Sequence, residues 1–468
     1  MTFTSFKNAR IVRSGWLEEG GRRLDCNPYM SGALEARDIL IKLGVRKDSL
    51  AQVTKGIFDS GRESRQWVDE PTLGIPYMGT SAIGYSDLSM LPLIAKRQVL
   101  NNPKLQLELG TSLVTRSGTV GKMAFVRPEM VGMACSEDVL RIVADEEKIL
   151  PGYLYSFLSS KFGVPLLVAG TYGAIIQHIE PEHVKDLPVP RLGDVELEAD
   201  RLMTDSSRLM TKYSELVQRS RNAVLSAIGL NDPTSFEWNE NRSHLGWGEA
   251  RITSESFRAF NYDPRAMFYW GRLSEIEHTA LSDLCIPEHF KGHIVFKRIE
   301  SDPEHGYRLL GQRDAFQIRP EGRWISRKSV DGLGLVVPPQ TVLIPSHGTL
   351  GEFELYCRAI YVTQGTSKNA FSGDFYRCIP RDGQVRGGYL YAVLSTKVAF
   401  RILRSMSTGG KQQYQHPSML ARFPIPRLGP LENTVADWID QAAESYDKAV
   451  SLEEEARRIV ERAIEGHI

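Results

Sequence analysis

The feature that most limits what this chain can become is an internal duplication. Tyr153-Leu-Tyr-Ser-Phe-Leu-Ser-Ser-Lys161 returns as Tyr389-Leu-Tyr-Ala-Val-Leu-Ser-Thr-Lys397, and Pro188-Val-Pro-Arg-Leu-Gly193 returns as Pro424-Ile-Pro-Arg-Leu-Gly429, both 236 residues later. Over 151–193 against 387–429, without a gap, 16 of 43 positions are identical; ordinary composition would give about two or three. Val114-Thr-Arg-Ser-Gly-Thr-Val-Gly121 matches Ile344-Pro-Ser-His-Gly-Thr-Leu-Gly351 at an offset of 230, and Arg22 to Pro28 matches Arg258 to Pro264 at 236. The matches keep their order, so one unit of about half the chain is present twice. Such a period is far too long for a solenoid. It predicts two homologous domains related by a pseudo-twofold axis.

Each half follows one plan: a mixed α/β stretch, the Pro-x-Pro-Arg-Leu-Gly stop, then one long helical pattern. This divides the chain into a first module (1–193), a spacer helix (194–230), a connector with the second module (231–429) and a C-terminal spacer helix (430–468). In the first helix Leu202, Leu209, Leu216 and Ala223 fall seven apart, as do Met203, Met210, Val217 and Val224, and Tyr213 widens the stripe. The second carries Trp438, Ala442, Tyr446, Leu452, Ile459 and Ala463. Heptad spacing held over four to five heptads predicts a coiled-coil-like pair with these residues at its seam. Gly229, followed by Asn231-Asp-Pro233, ends the first helix. The class is α+β. Pro151–Phe162 and Gly388–Leu403 read as helices, 112–126 as strand, Gly turn and strand, 341–355 as its twin, and 231–248 as a polar connector.

Charge is uneven beneath a net of zero. The 57 basic residues equal the 57 acidic ones, which excludes coating nucleic acid by bulk charge. Residues 281–426 hold 19 Lys and Arg against 12 Asp and Glu, whereas 42–186 hold 16 of each and 430–468 hold 4 against 10. No apolar run approaches the ~18–20 residues of a membrane span. The first ten residues lack the apolar stretch of a signal peptide. Five scattered Cys (26, 135, 285, 357, 378) fit reduced thiols in a cytoplasmic protein with no membrane partner.

Catalytic motifs fail one by one. Gly121-Lys122 ends like a phosphate-binding loop, but Arg116 and Met123 stand where glycine and Ser/Thr are needed. Asn27-Pro-Tyr29 lacks the second proline of an amino-methyltransferase motif, and its repeat partner Asp263-Pro-Arg265 lacks the aromatic. Glu146-Glu-Lys148 has nuclease-like spacing without an equivalent in the other half. Cys285, His289 and His293 would suit a metal on one helix face, but Pro287 and Gly292 interrupt that helix, and only His305 is near as a fourth ligand. No catalytic residue and no metal ligand is expected. The layout points to binding: two ~35-residue helices packed antiparallel would span about 50 Å, and two modules at opposite ends would suit DNA half-sites about 34–36 Å apart. A parallel pair would place both modules at one end.

The duplicated order of Thr-Arg-Ser-Gly-Thr-Val-Gly, Gly-Tyr-Leu-Tyr…Leu-Ser, Gly…Gln-His-Ile (Gly-Lys-Gln-Gln in the second half), Leu-Pro-Val-Pro and a long helix resembles the specificity (S) subunit of type I restriction–modification systems. Arg23-Leu-Asp-Cys-Asn-Pro-Tyr29 resembles the segment that opens many such modules. The likeness runs from about 22 to 468. It implies a non-catalytic subunit with two tandem target-recognition domains separated by two long antiparallel coiled-coil helices. Each domain would read one part of a split, asymmetric site in double-stranded DNA. It also implies two methyltransferase (M) subunits as partners, with restriction/translocase (R) subunits as optional members. S-adenosylmethionine would sit in the methyltransferase, and no cofactor in this chain. The alternative is a two-module protein–protein adaptor of a defence complex without base readout of its own.

Phosphates call for Lys, Arg and backbone N–H groups; base edges call for Arg, Lys, Asn and Gln. The DNA-binding candidates of the first half are Lys55, Arg62, Arg65, Gln66, Arg116, Ser117, Thr119, Lys122, Tyr172, Gln177 and His178. Those of the second are Lys291, His293, Lys297, Arg298, Arg323, Arg327, Lys328, His347, Thr349, Lys411, Gln412, Gln413 and Tyr414. The acidic run Glu453–Glu455 is read as an outer face meeting solvent or a basic partner.

Overall fold

The computed structural model describes residues 12–19, 29, 32–169, 178–244, 252 and 255–466, without the side chains of 18, 19 and 241–244. The opening segment Arg23–Pro28, together with Tyr172 and Gln177, lies outside the described residues.

Two helices dominate, Asp194–Ala227 (34 residues) and Pro430–Gly466 (37 residues). At 1.5 Å per residue each is a rod of about 50 Å. They pack antiparallel. Ala199 shares a core with Val460 and Ile464, Leu202 and Met203 meet Ala456, Ser206 Oγ donates to Ala449 O (2.8 Å), and Tyr213 stands 5.4 Å from Tyr446 ring to ring. Val217 and Val224 belong to one core with Val435 and Ala442. Both rods begin alike. Gly193 (φ 62°) and Gly429 (φ 58°) turn the chain in a left-handed conformation that favours glycine. The third helical residue, Glu196 or Glu432, then chelates the arginine of the stop motif: Arg191 Nε and Nη2 donate to Glu196 at 3.0 and 2.8 Å, and Arg427 does so to Glu432 at 3.0 and 3.0 Å. The first rod ends in a Schellman turn, with Leu230 N donating to Leu225 O (2.9 Å) and Gly229 at φ 68°.

The seam differs in detail from the column Leu202, Leu209, Leu216 and Ala223. Leu202 is buried, but Leu209, Leu216 and Ala223 are half-buried on a flank, while Met203, Ser206, Met210, Val217, Ser220 and Val224 are buried. Across from them Ala442 and Tyr446 are buried, and Trp438, Leu452, Ile459 and Ala463 are half-buried. The inner column moves because each rod is also covered by a short helix of a head, Pro151–Leu158 or Gly387–Leu394. Gly152 and Gly388, 236 apart, allow that approach. A Cβ at Gly152 would lie 2.9 Å from Asp200 Cα, and one at Gly388 would lie 3.0 Å from Ala436 Cα.

The two heads share a core of strands, to which the first adds Thr54–Phe58 and Trp67–Val68 as edge strands. In the first, an antiparallel sheet runs Thr54–Phe58, Val139–Ala144, Ser112–Thr115, Met123–Phe125. A second sheet runs Trp67–Val68, Leu93–Ala95, Gly74–Met78, Ala134–Cys135, its last pair parallel. In the second head, Val342–Pro345 lies between Ile360–Tyr361 and Phe375–Cys378, and Gly306–Leu310 lies between Arg323–Ser326 and the parallel Ala370–Phe371. The stop motif pairs back on its own head, Pro188–Pro190 on Lys47–Ser49 and Pro424–Pro426 on His278–Ala280.

Buried arginines anchor both heads. Arg141 donates to the carbonyls of Ser136 (2.8 Å), Val139 (2.6 Å) and Cys135. Arg377, 236 residues on, donates to those of Ser372 (2.6 Å), Phe375 (2.7 Å) and Phe371 (3.0 Å). Each acceptor keeps the same offset, and both side chains are almost fully buried.

Three local expectations are corrected. The 341–355 segment is no tight hairpin: its return strand comes only at Ile360–Tyr361. Arg358 holds the wider loop by donating to Glu354 O (2.9 Å) and Glu352 O (3.0 Å). The supposed connector contains a helix, Ser235–His244, begun by a Thr234–Glu237 capping box (Thr234 N to Glu237 Oε2, 2.7 Å). Gly388–Leu403 is two helices, because Thr396 caps a new one by accepting from Ala399 N (3.0 Å). The duplicated α+β heads, the antiparallel rods and the pseudo-twofold relation are all present. The heads dock at opposite ends of the rod pair, yet they lean inward and touch over its middle.

Candidate nucleic-acid interface

The second head builds its polar tip on a small sheet. His347–Gly348 pairs with Gln413–Gln415, which pairs with Ser407–Gly409. The last two strands are joined through Gly409 (φ 102°), Gly410, Lys411 and Gln412. This hairpin exposes Lys411, Gln412 and Tyr414. Thr349 is exposed beside it, and His347 lies 5.7 Å ring to ring from Tyr414. His293 and His347 flank one carboxylate, with Nδ1 atoms 3.8 and 3.7 Å from Asp374 Oδ1. Gln312 ties the strands from behind by donating to His347 O (3.1 Å) and Asp374 O (3.0 Å).

Gln413, a base-reading candidate, is placed behind the tip as a brace. It is buried, its amide donates to Gly409 and Gly410 carbonyls, and its oxygen accepts from Arg258 Nη1 at 2.6 Å. Arg258 also donates to Ser407 O (3.1 Å) and Gly409 O (3.2 Å), and Asn261 Nδ2 donates to Ser407 O (2.9 Å). Neither Arg258 nor Asn261 was a candidate, although the repeat of Arg22–Pro28 in Arg258–Pro264 marks the segment.

A second patch follows Arg323–Ser326. Arg327 lies over Tyr307 (5.4 Å), Arg308 over Trp324 (5.1 Å) and Arg298 over Phe296 (5.8 Å). Such cation–π contacts hold a guanidinium beside a ring; Arg298 and Arg327 are exposed, whereas Arg308 is half-buried and donates to Pro320 O (3.2 Å). Lys291, Lys297, Lys328 and Arg323 are exposed, with Arg323 3.8 Å from Glu300.

The first head is otherwise. Lys55, Arg62, Gln66 and Thr119 are exposed. Arg65 is paired with Glu137 (2.9 Å). Arg116 is held within the head by Asp59 (3.0 Å), Glu180 and Ile179 O (3.0 Å). Ser117 donates to Asp138 (2.6 Å) and Lys122 pairs with Glu321 of the second head (3.2 Å). Ser117 bridges His178 as His347 bridges Tyr414, so the same sheet edge recurs. Sequence reading missed these losses because each cation's acidic partner is distant in the chain. Glu453 is likewise no outer face: it accepts from Tyr155 OH (2.8 Å) and pairs with Arg319.

The metal reading of Cys285, His289 and His293 does not assemble. Cys285 is buried in the second head's core with Cys378, whereas His293 is on the surface. Among the described residues no three His, Cys, Asp or Glu gather as a metal site, and no helix is long and apolar enough to cross a membrane.

If this tip contacts DNA, Lys411→Ala with Gln412→Ala should weaken duplex binding by about 1–3 kcal/mol and lower the salt slope by about one. Unchanged affinity at two salt concentrations would exclude the hairpin.

No protein-family model matches the chain, and no curated protein matches it by sequence. Among solved structures, the chain is similar to the type I restriction–modification S subunit from M. genitalium: 14% identity, 90% of this chain and 96% of that one, TM-score 0.34. It is also similar to the HsdS subunit from Thermoanaerobacter tengcongensis: 15% identity, 91% and 97%, TM-score 0.26.

Proposed function

We propose that the chain is the non-catalytic DNA-sequence-recognition subunit of a type I restriction–modification-like complex. The observation that carries this reading is the pairing of one duplicated scaffold with two unlike tips. The same sheet edge presents Ser117 and His178 in one head and His347 and Tyr414 in the other. A scaffold that is repeated while its tips differ suits two reading heads for the two unlike halves of an asymmetric site. The tip of the second head offers amide, imidazole, ammonium and phenol groups beside a stacked-arginine patch, the chemistry for base edges and phosphates. The net +7 of residues 281–426 (19 against 12) supplies local charge in a neutral chain. Methyltransferase subunits that bind S-adenosylmethionine are the partners this reading requires, with restriction/translocase subunits as optional members.

The test is to incubate the protein, alone and with its methyltransferase, with randomised duplexes and sequence the bound fraction. A split motif with a fixed gap is the expected result. No enrichment with methyltransferase present would leave the adaptor reading in its place.

A further inference from the structure

The heads meet through equivalent parts. After equivalent strands, Gly74–Met78 and Gly306–Leu310, each chain runs into a loop, and the two loops exchange backbone bonds. Ser86 N donates to Phe316 O (3.1 Å) and Ile318 N to Gly84 O (2.8 Å), with Tyr85 opposite Gln317. Residues 84, 85 and 86 correspond to 316, 317 and 318 at one offset of 232, so the exchange lies on the pseudo-twofold axis and each loop uses the same atoms. Gly84 leaves room for the Gln317 side chain, whose Oε1 a Cβ there would displace. Gln317 Nε2 adds a bond to Ser81 O (3.0 Å).

Beyond the bridge each loop sends one charged side chain to the rods, and the two charges are opposite. Asp87 accepts from Arg221 Nη2 (2.6 Å). The same guanidinium donates to Ser89 Oγ (3.2 Å) and to Ser395 Oγ of the second head (3.0 Å). Burial opposes ionisation of Asp87, but Arg221 outweighs it and holds the carboxyl well below the usual range. At the equivalent position Arg319 pairs with Glu453 of the second rod and with Tyr155 OH of the first head. The braces cross: each loop is fixed near the foot of the opposite head.

We infer that this crossed clasp fixes the rotation of one head against the other, so that Asp87, Arg319 and the Tyr85–Gln317 bridge are positioning residues for the gap between half-sites. The inference rests on the DNA-reading function proposed above. One more base pair in the gap shifts a half-site by about 3.4 Å and turns it by about 35°. A rod pair alone can bend and twist to follow such a change. A bridge on the axis, braced on both sides, resists it.

The test uses the full chain with its methyltransferase and the same selection. Wild type should return one gap. Asp87→Asn with Arg319→Gln should return neighbouring gaps at a several-fold higher fraction while each half-site motif is unchanged. Tyr85 and Gln317 form a non-hydrogen-bonded antiparallel pair, whose Cα separation of about 4.5 Å suits a disulfide. Adding Tyr85→Cys and Gln317→Cys to the loosened protein should restore the single gap when oxidised and lose it again on reduction. A single gap in the loosened protein under both conditions would overturn the clasp's role. So would failure of the 85–317 cross-link to form in the free protein, or loss of all binding on oxidation, since the heads would then part to take DNA. A wild-type selection without any split motif would instead overturn the DNA-reading function itself.

Discussion

Replacing Arg377 by Met should destabilise the second head by about 3 kcal/mol. Three main-chain carbonyls, those of Phe371, Ser372 and Phe375, depend on this one guanidinium. Carbonyls cannot be mutated away with their donor, so all three would be left buried and unpaired, at about 1–3 kcal/mol each. Burial pushes the Arg377 pKa down from 12.5 to about 10. That shift corresponds to about 3 kcal/mol of penalty on the charged form, which the substitution relieves. The remainder is the expected loss, about 10 °C in Tm for a domain of this size. The sign with pH follows from the same shift. Between pH 10 and 12.5 the folded state binds fewer protons than the unfolded one, so wild-type stability gains a rising component from this group. The variant lacks it, and the difference between the proteins narrows toward neutral pH only through that component. Calorimetry of Arg377→Met and of Arg141→Met in the first head should find the lower transition in the mutated head each time. A Tm unmoved in both would mean the arginines carry no weight.

Those arginines mark what the sequence held without declaring. Val139-Leu-Arg-Ile and Phe375-Tyr-Arg-Cys read as strands interrupted by a cation, and a cation in a strand ordinarily points to solvent. Only the shared offset of 236 hinted at a common buried duty. The rods, the stop motifs and the order of the heads were legible because the same residue types recur at fixed spacing. Arg191 and Glu196 even repeat their chelate as Arg427 and Glu432. The clasp was not legible. Its bridge is made by backbone atoms, which any residue supplies, and its braces put Asp87 and Arg319 at equivalent places with opposite charge. A comparison of the halves therefore scores that position as a mismatch. The candidate cations divided for a similar reason. Lys411 and Gln412 sit on a Gly-Gly turn, a local signal, and are exposed. Arg116 also sits in a glycine loop, but its partners Asp59 and Glu180 lie 57 and 64 residues away, and no local pattern announces them.

Ala449→Glu should part the rods at their centre. Ala449 is fully buried, packed with Met210, Tyr446, Leu209 and Tyr213, and its carbonyl accepts from Ser206 across the seam. None of these offers a cation. A carboxylate forced there either stays charged and unpaired or takes up a proton, and both cost several kcal/mol, on the order of 4 at neutral pH. The folded pKa of the new group would lie above its unfolded value. The defect should therefore be mildest below about pH 4 and grow as pH rises through the raised value. Lys448→Glu, one residue away and exposed, should change stability by less than about 0.5 kcal/mol and so controls for charge alone. The damage does not stop at the seam. Val460 and Ile464 belong to the first head's core, and Val435, Ala436, Ile439 and Ala442 to the second's, so parted rods would also loosen both heads. On the DNA-reading function, two heads no longer held at a fixed distance lose the gain of binding as a linked pair, which is about 100-fold or more when linkage and geometry match. Duplex affinity should then fall toward that of a single head, while circular dichroism reports the lost helix and the Lys448→Glu protein keeps both. Full affinity in Ala449→Glu with its helix content intact would mean that the central seam does not hold the heads in register.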